Sequence, residues 1–163
     1  VGLRALELAV THLERGVVER GEGVLFVDDD PENVALCAEI VGEATGMTVV
    51  VVDSVEAAVE QLHERQWRLV VMDLFIPLGA HPHRVLGPRA RRYQEHVEHL
   101  GGLVLLEELA RLKHRPVVVS HTACTDHVLL ELFGDQVARR VPKPAPLDTL
   151  LQAVLDVVRG EGA

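Results

Sequence analysis

The sequence predicts an α/β domain built on a doubly wound, five-stranded parallel sheet, with one extra helix at its N-terminus. Short runs dominated by Val and Leu, which suit strands buried on both faces, alternate along the chain with longer stretches of helical periodicity. Aromatic residues make up 3% of the 163 residues and apolar ones 48%, so the core must be assembled from Val, Leu and Ala. Two of the apolar runs end in carboxylates, as central strands do when they deliver polar groups to the C-terminal edge of an open sheet.

Residues 1–22 read as an amphipathic helix and linker, with Leu3, Leu6, Leu8, Leu13 and Val17 at near-helical intervals before Gly21 and Gly23. The main domain is expected over 23–160. Its first strand, 24–28, ends in acids, and Asp30-Pro31-Glu32 then supplies a helix start with an acidic N-cap and Pro at the first helical position. The same rhythm continues with a strand at 47–52, a helix at 54–65 and a strand at 69–73. After Pro77 it breaks, and about 78–100, rich in Gly, Pro, His and Arg, reads as an insertion. A helix at 103–112, a strand at 116–121, a helix at 124–133, a more polar edge strand at 136–141 and a helix at 147–158 complete the pattern. Right-handed crossovers between such parallel strands place helices on both faces of the sheet.

The formal net charge of −9 argues against affinity for nucleic-acid phosphates, because such binders carry a basic footprint. Cys37 and Cys124 stand far apart and outside any CxxC pattern, so neither a zinc site nor a disulfide framework is expected and a reducing cytoplasm is the default. No apolar run reaches the length of a bilayer span, and no signal-peptide pattern is present. The chain begins at Val1, so it is expected to be a processed or excised piece with room for a fused partner domain.

Asp28 and Asp29 close the first strand and Asp73 closes the third, so neighbouring strands would bring three carboxylates to one sheet edge. Two unit charges about 4 Å apart repel by roughly 4 kcal/mol at an effective dielectric near 20, so a compensating cation is expected. Hard carboxylate oxygens with an open water shell suit Mg²⁺. The chain has two lysines, and Lys143 follows the fifth strand at the same edge. An ammonium there can pair with Asp73 and keep it ionised and nucleophilic. Taken singly, an acid at a strand end serves as readily as a helix cap, and a lone lysine as a solvated charge; their conjunction favours a site.

The segments VLFVDDDPENV, LVVMDLFIP, GGLVLLEEL, RPVVVSHTA and VPKP follow one another as the motifs of response-regulator receiver domains do, and the resemblance spans about 23–158. It implies a flavodoxin-like receiver fold with strand order 2-1-3-4-5. By this match Asp73 resembles the phospho-accepting aspartate, Asp29 the direct Mg²⁺ ligand, Asp28 the acid that works through water, and Lys143 the family's lysine. Phe75 would lend its backbone carbonyl to the metal. The family also implies a cis peptide at Lys143-Pro144, a bond type that tolerates it.

Three features depart from that pattern. Counting forward from Pro116 or back from Lys143 by the family's spacings puts His121 where a Ser or Thr hydroxyl should meet the phosphoryl group, whereas matching the Thr-Ala pair selects Thr122. The Thr122 register is favoured, with a small bulge to preserve the hydroxyl; His121 at the site would make phosphoryl sensing pH-sensitive. Arg140, beside Arg139, stands at the position of the family's switch aromatic, so this Arg pair would recognise acidic partner groups or simply be solvated. The insertion at 78–100, with His81, His83, His96, His99, Arg84, Arg89, Arg91 and Arg92, invites a phosphate lid, a metal site or a partner-binding helix, against a plain surface helix.

The function expected from the resemblance is a phosphorylatable receiver taking a phosphoryl group from a sensor histidine kinase or phosphotransfer protein, Mg²⁺-dependent, and acting on a downstream protein or fused output domain. The N-terminal helix and the insertion would serve dimer or partner contacts. The alternative is a pseudo-receiver that works as an interaction module without phosphorylation. A Mg²⁺-dependent phosphatase of another α/β fold ranks last, because no DxD motif follows the first strand.

Overall fold

The computed structural model describes residues 23–160, so the expected N-terminal helix, including its stripe at Leu6, Leu13 and Val17, lies outside the described residues. Five strands, β1 (Gly23–Val27), β2 (Val49–Val52), β3 (Trp67–Met72), β4 (Val117–Thr122) and β5 (Arg139–Pro142), pair in parallel in the order β2-β1-β3-β4-β5. That is the expected order. Helices α1 (Glu32–Thr45) and α2 (Val55–Glu64) follow β1 and β2. Between β3 and β4 stand α3 (His83–Leu86), α4 (Arg89–His96) and α5 (Gly101–Ala110), and α6 (His127–Gly134) and α7 (Leu147–Val158) follow β4 and β5.

Alternate strand residues face opposite layers. Leu25, Val27, Val70, Met72 and Val118 pack towards α2 and α5, while Val24, Phe26, Leu69, Val71, Val119 and Val141 pack towards α1 and α7. Each fully buried Leu, Val or Phe contributes roughly 1.5–3 kcal/mol, so strands buried on both sides carry most of the core and read as unbroken apolar runs. The register is regular except for one shift at Gly23/Val24.

Local chemistry explains the helix starts, with one correction. Ser54 caps α2, its hydroxyl accepting from the Ala57 N–H at 3.1 Å. Asp30 does not cap α1 with its side chain; its carbonyl accepts from the Asn33 N–H at 3.0 Å, and its own N–H donates to Asp28 Oδ1 at 2.9 Å. Asp28 has thus drawn the turn onto itself.

The insertion neither hangs free nor lies on the surface as a plain helix. Leu78, Leu86, Ala90 and Tyr93 are buried in the layer shared with α2 and α5. Backbone N–H groups of Val55 and Glu56 donate to the carbonyls of Pro77 and Leu78 at 3.0 and 2.9 Å, which fastens the entry of the insertion to the first turn of α2. Gly79 takes a positive φ of 111° directly over Glu56, where a Cβ would come within 2.7 Å of the Glu56 Cβ. At the other end Glu108 of α5, nearly buried, accepts from Arg89 at 2.6 Å and from Tyr93 at 3.4 Å, and pairs with Arg111 at 3.3 Å. Arg92 and Arg91 pair with Glu107 and Glu95 at 4.0 and 3.5 Å.

Candidate functional site

The expected acids and lysine converge at the C-terminal edge of the sheet. The Asp28 N–H donates to the Val52 carbonyl and the Asp73 N–H to the Val27 carbonyl, at 3.0 and 3.1 Å, so backbone pairing carries both acids one residue past their strands and leaves them side by side. Lys143 is placed the same way, its N–H donating to the Thr122 carbonyl at 3.0 Å. Its ammonium Nζ donates to Asp28 Oδ2 at 2.7 Å and to Asp73 Oδ2 at 2.9 Å. The remaining oxygens are held by backbone: Asp28 Oδ1 by the Asp30 N–H and Asp73 Oδ1 by the Phe75 N–H at 3.2 Å. Asp28 and Asp73 are buried, whereas Asp29 is exposed at the mouth.

Electrostatics follow from these contacts. Burial alone would raise the Asp73 carboxyl, but hydrogen bonds from Thr122 and Lys143, the lysine charge and the Phe75 N–H outweigh it and hold its pKa below the ordinary value. Asp29 moves the other way, raised by partial burial and then by the charges of Asp28 and Asp73. Burial would lower Lys143, yet its bonds to Asp28 and Asp73 raise it, so it stays an ammonium.

The donor set fits a divalent cation. One oxygen from each of Asp28, Asp29 and Asp73 lies within 4.8 Å of the others, and a single ammonium faces three carboxylates, so the cluster stays anionic. All-oxygen ligation at an open edge suits Mg²⁺ better than a soft metal. Among the described residues no second group of three His, Cys, Asp or Glu side chains meets the same spacing.

No family model matches the sequence, and no curated protein does. Solved structures do. The chain superimposes on the signal receiver domain of an HD domain-containing protein from Pseudomonas fluorescens with a TM-score of 0.64 at 16% identity, over 88% of this chain and 91% of that one. A two-component response regulator from Clostridium difficile gives 0.63 at 14% identity over 84% and 95%. The signal receiver domain of a putative Luxo repressor protein from Vibrio parahaemolyticus gives 0.63 at 18% identity over 85% and 92%. The chain has the receiver fold. At these identities the likeness establishes architecture; the site rests on its own geometry.

Within this receiver fold Thr122 and His121 of β4 have different surroundings. Thr122 carries a hydroxyl that is among the groups lowering the Asp73 pKa, and its Oγ1 accepts from the Cys124 N–H at 3.3 Å. His121, one residue earlier, is buried with Nδ1 2.9 Å from the Val141 carbonyl oxygen. No bulge brings this about, since β4 pairs with β3 and β5 without a register shift. Phe75 stands two residues beyond Asp73 and is 41% exposed. The Lys143-Pro144 peptide is cis.

The arginine expectations need correction. Arg139 pairs with Asp156 of α7 at 3.0 Å and Arg140 donates to the Leu130 carbonyl of α6 at 2.9 Å, so both have partners within the chain. Arg89, Arg91 and Arg92, three of the four arginines of the phosphate-lid reading, pair with glutamates within the chain. Gly102 is a site residue that residue chemistry alone did not reveal. Its N–H donates to the Leu74 carbonyl at 3.0 Å, and a Cβ there would lie 2.7 Å from the Asp73 carbonyl oxygen. The paired glycines opening α5 were the available signal, because backbone can approach that closely only where no side chain intervenes.

Proposed function

We propose that Asp73 accepts a phosphoryl group and that the added charge changes the chain's contacts with partner proteins. The observation that carries this reading is the Lys143 ammonium shared between Asp28 and Asp73, beside Asp29, at the edge of a receiver fold. Asp29 and Asp73, with the Phe75 carbonyl and Asp28 acting through water, are the residues that would hold Mg²⁺. The ion, when bound, neutralises phosphoryl oxygens during in-line transfer.

The chain's own groups account for the rest. Asp73 is ionised at neutral pH, so a carboxylate oxygen can attack the phosphorus of a phosphohistidine; the O–P bond forms as the P–N bond breaks, and the electron pair leaves with the imidazole, which takes up a proton. Lys143 then transfers its hydrogen bond from the carboxylate to a phosphoryl oxygen, and the Thr122 hydroxyl donates to another. Water later cleaves the acyl phosphate and restores Asp73, the only turnover in this reading. The donor is a sensor histidine kinase or phosphotransfer protein, and the recipient of the signal a downstream protein or fused output domain in the cytoplasm. No helix among the described residues is long and apolar enough to cross a membrane.

One observation favours a second reading, a pseudo-receiver acting without phosphorylation. Arg140, where the family's switch aromatic would stand, is bonded to the Leu130 carbonyl, so no ring is available there to swing inward. The two are separated by incubating the protein with Mg²⁺ and acetyl phosphate or beryllofluoride, then measuring intact mass and amide chemical shifts. A gain of one phosphoryl group that disappears in Asp73→Asn supports phosphoryl acceptance; no Asp73-dependent change overturns it.

A further inference from the structure

Asp73 and the insertion are joined by short backbone contacts. Asp73 Oδ1 accepts from the Phe75 N–H at 3.2 Å, and the carbonyls of Leu74 and Ile76 in the same turn accept from the N–H groups of Gly102 and Gly101 at 3.0 Å each. Those glycines open α5, where the insertion ends. Neither has slack: a Cβ on Gly102 would lie 2.6 Å from the Leu74 Cα, and one on Gly101 2.8 Å from a methyl of Val55. Leu74 and Ile76 are themselves buried in the cluster that holds Leu78, Leu86, Ala90 and Tyr93 of the insertion. The far side of the insertion is held less well. Arg89 donates to Glu108 through one guanidinium nitrogen, but its Nε is buried and finds no partner among the described residues, and the Tyr93 hydroxyl stands 3.4 Å from Glu108, long for a bond of its kind.

We propose that the insertion is the element that reads the state of Asp73, its helices α3 and α4 loosening against α2 and α5 when Asp73 is phosphorylated. This rests on phosphoryl acceptance at Asp73 and adds where the signal goes. Esterifying one carboxylate oxygen moves the charge out to the phosphoryl group and leaves the other oxygen a neutral carbonyl, a weaker acceptor. The Phe75 N–H thus loses its carboxylate partner. A close-packed interior passes such a shift on rather than absorbing it, and the turn at Leu74–Ile76 can pass it only to Gly101, Gly102 and the insertion residues packed on it. The imperfect clamp at Arg89 and Tyr93 is where it is released. Because coupling is reciprocal, loosening that clamp must favour the modified form of Asp73 by the same factor.

The test is amide hydrogen exchange of the full chain in Mg²⁺, with and without beryllofluoride, in the native chain and in Asp73→Asn. Exchange over α3 and α4 should quicken by about tenfold on beryllofluoride binding, within the usual range of coupling between sites, with little change in α6 and β5 and none in Asp73→Asn. Two variants open the clamp from opposite sides, Glu108→Gln and Arg89→Met. Each should bind beryllofluoride about fivefold or more tightly than the native chain and shift the Phe75 amide resonance even without it, whereas Arg91→Ala, an exposed pair, should do neither. Asp73-dependent binding that leaves exchange in the insertion unchanged, or native affinity in both clamp variants, would overturn the proposal while phosphoryl acceptance stands. Absence of any Asp73-dependent binding would overturn both.

Discussion

His121 Nδ1 lies 2.9 Å from the carbonyl oxygen of Val141, a side-chain bond across the β4–β5 pair two residues before Lys143. Burial lowers the His121 pKa, the Val141 bond opposes that shift, and the nearby Lys143 charge adds to it. The neutral ring, with its proton on Nδ1, is therefore the folded form.

A depressed folded pKa means that the unfolded chain binds the proton first on acidification. The stability His121 contributes is thus complete above its ordinary pKa of 6.5 and is lost as pH falls from there through the folded value. Urea midpoints measured from pH 7.5 to 5 should fall with pH more steeply in the native chain than in His121→Gln. Equal slopes would show that the ring does not titrate with unfolding.

Lys143→Met leaves Asp28 and Asp73 buried together without their shared cation. Breaking such a pair costs about 3–5 kcal/mol when fully buried, and with Lys143 still 16% exposed a loss of about 2–3 kcal/mol is expected in the absence of divalent ions. The Asp73 carboxyl, held low in part by this lysine, should titrate at higher pH in the variant, visible in side-chain carboxyl shifts. Lys143→Arg restores charge but not the compact point contact, so recovery should be partial.

Bound Mg²⁺ should stabilise the native chain by linkage, about 2.7 kcal/mol at a hundredfold excess over Kd. Thermal melts with and without Mg²⁺ should show the increment in the native chain and lose it in Asp29→Asn and Asp73→Asn. A full increment in Asp73→Asn would move the metal elsewhere.

Gly102→Ala should disturb the site through the backbone alone. The added Cβ would meet the Leu74 Cα at 2.6 Å and the Asp73 carbonyl oxygen at 2.7 Å, so either α5 or the segment after β3 must shift. Overpacking of this kind costs about 1–3 kcal/mol. Weaker Mg²⁺ binding should accompany it, whereas an unchanged affinity would mean that α5 yields instead.

The insertion is clamped at one buried acid. Glu108→Ala unpairs Arg89, Arg111 and Tyr93 at once and should cost about 1–3 kcal/mol, with faster amide exchange over α3 and α4. Arg91→Ala removes only an exposed pair and should change stability by less than about 0.5 kcal/mol. Equal effects would remove Glu108 as the anchor.

The sequence by itself determined the alternation of strands and helices, the sheet order implied by its motifs, and the placement of Asp28, Asp29, Asp73 and Lys143 at one edge. These are legible because strand and helix periods are local and a parallel sheet delivers every strand's end to the same side. The bounds of α7 match the expected 147–158, and its buried residues are Leu150, Ala153, Val154 and Val157. Only the tertiary structure set Thr122, whose hydroxyl helps to lower the Asp73 pKa, apart from His121, whose ring meets the Val141 carbonyl. Spacing supports either register there, and the choice rests on which side chain finds a partner across β5. It also decided that Arg139 and Arg140 turn to Asp156 and to a helix carbonyl, and that Arg89, Arg91 and Arg92 of the insertion turn to glutamates. Most of those partners lie ten to nineteen residues away along the chain, beyond the reach of any local pattern, and charge alone does not say which acid an arginine will meet.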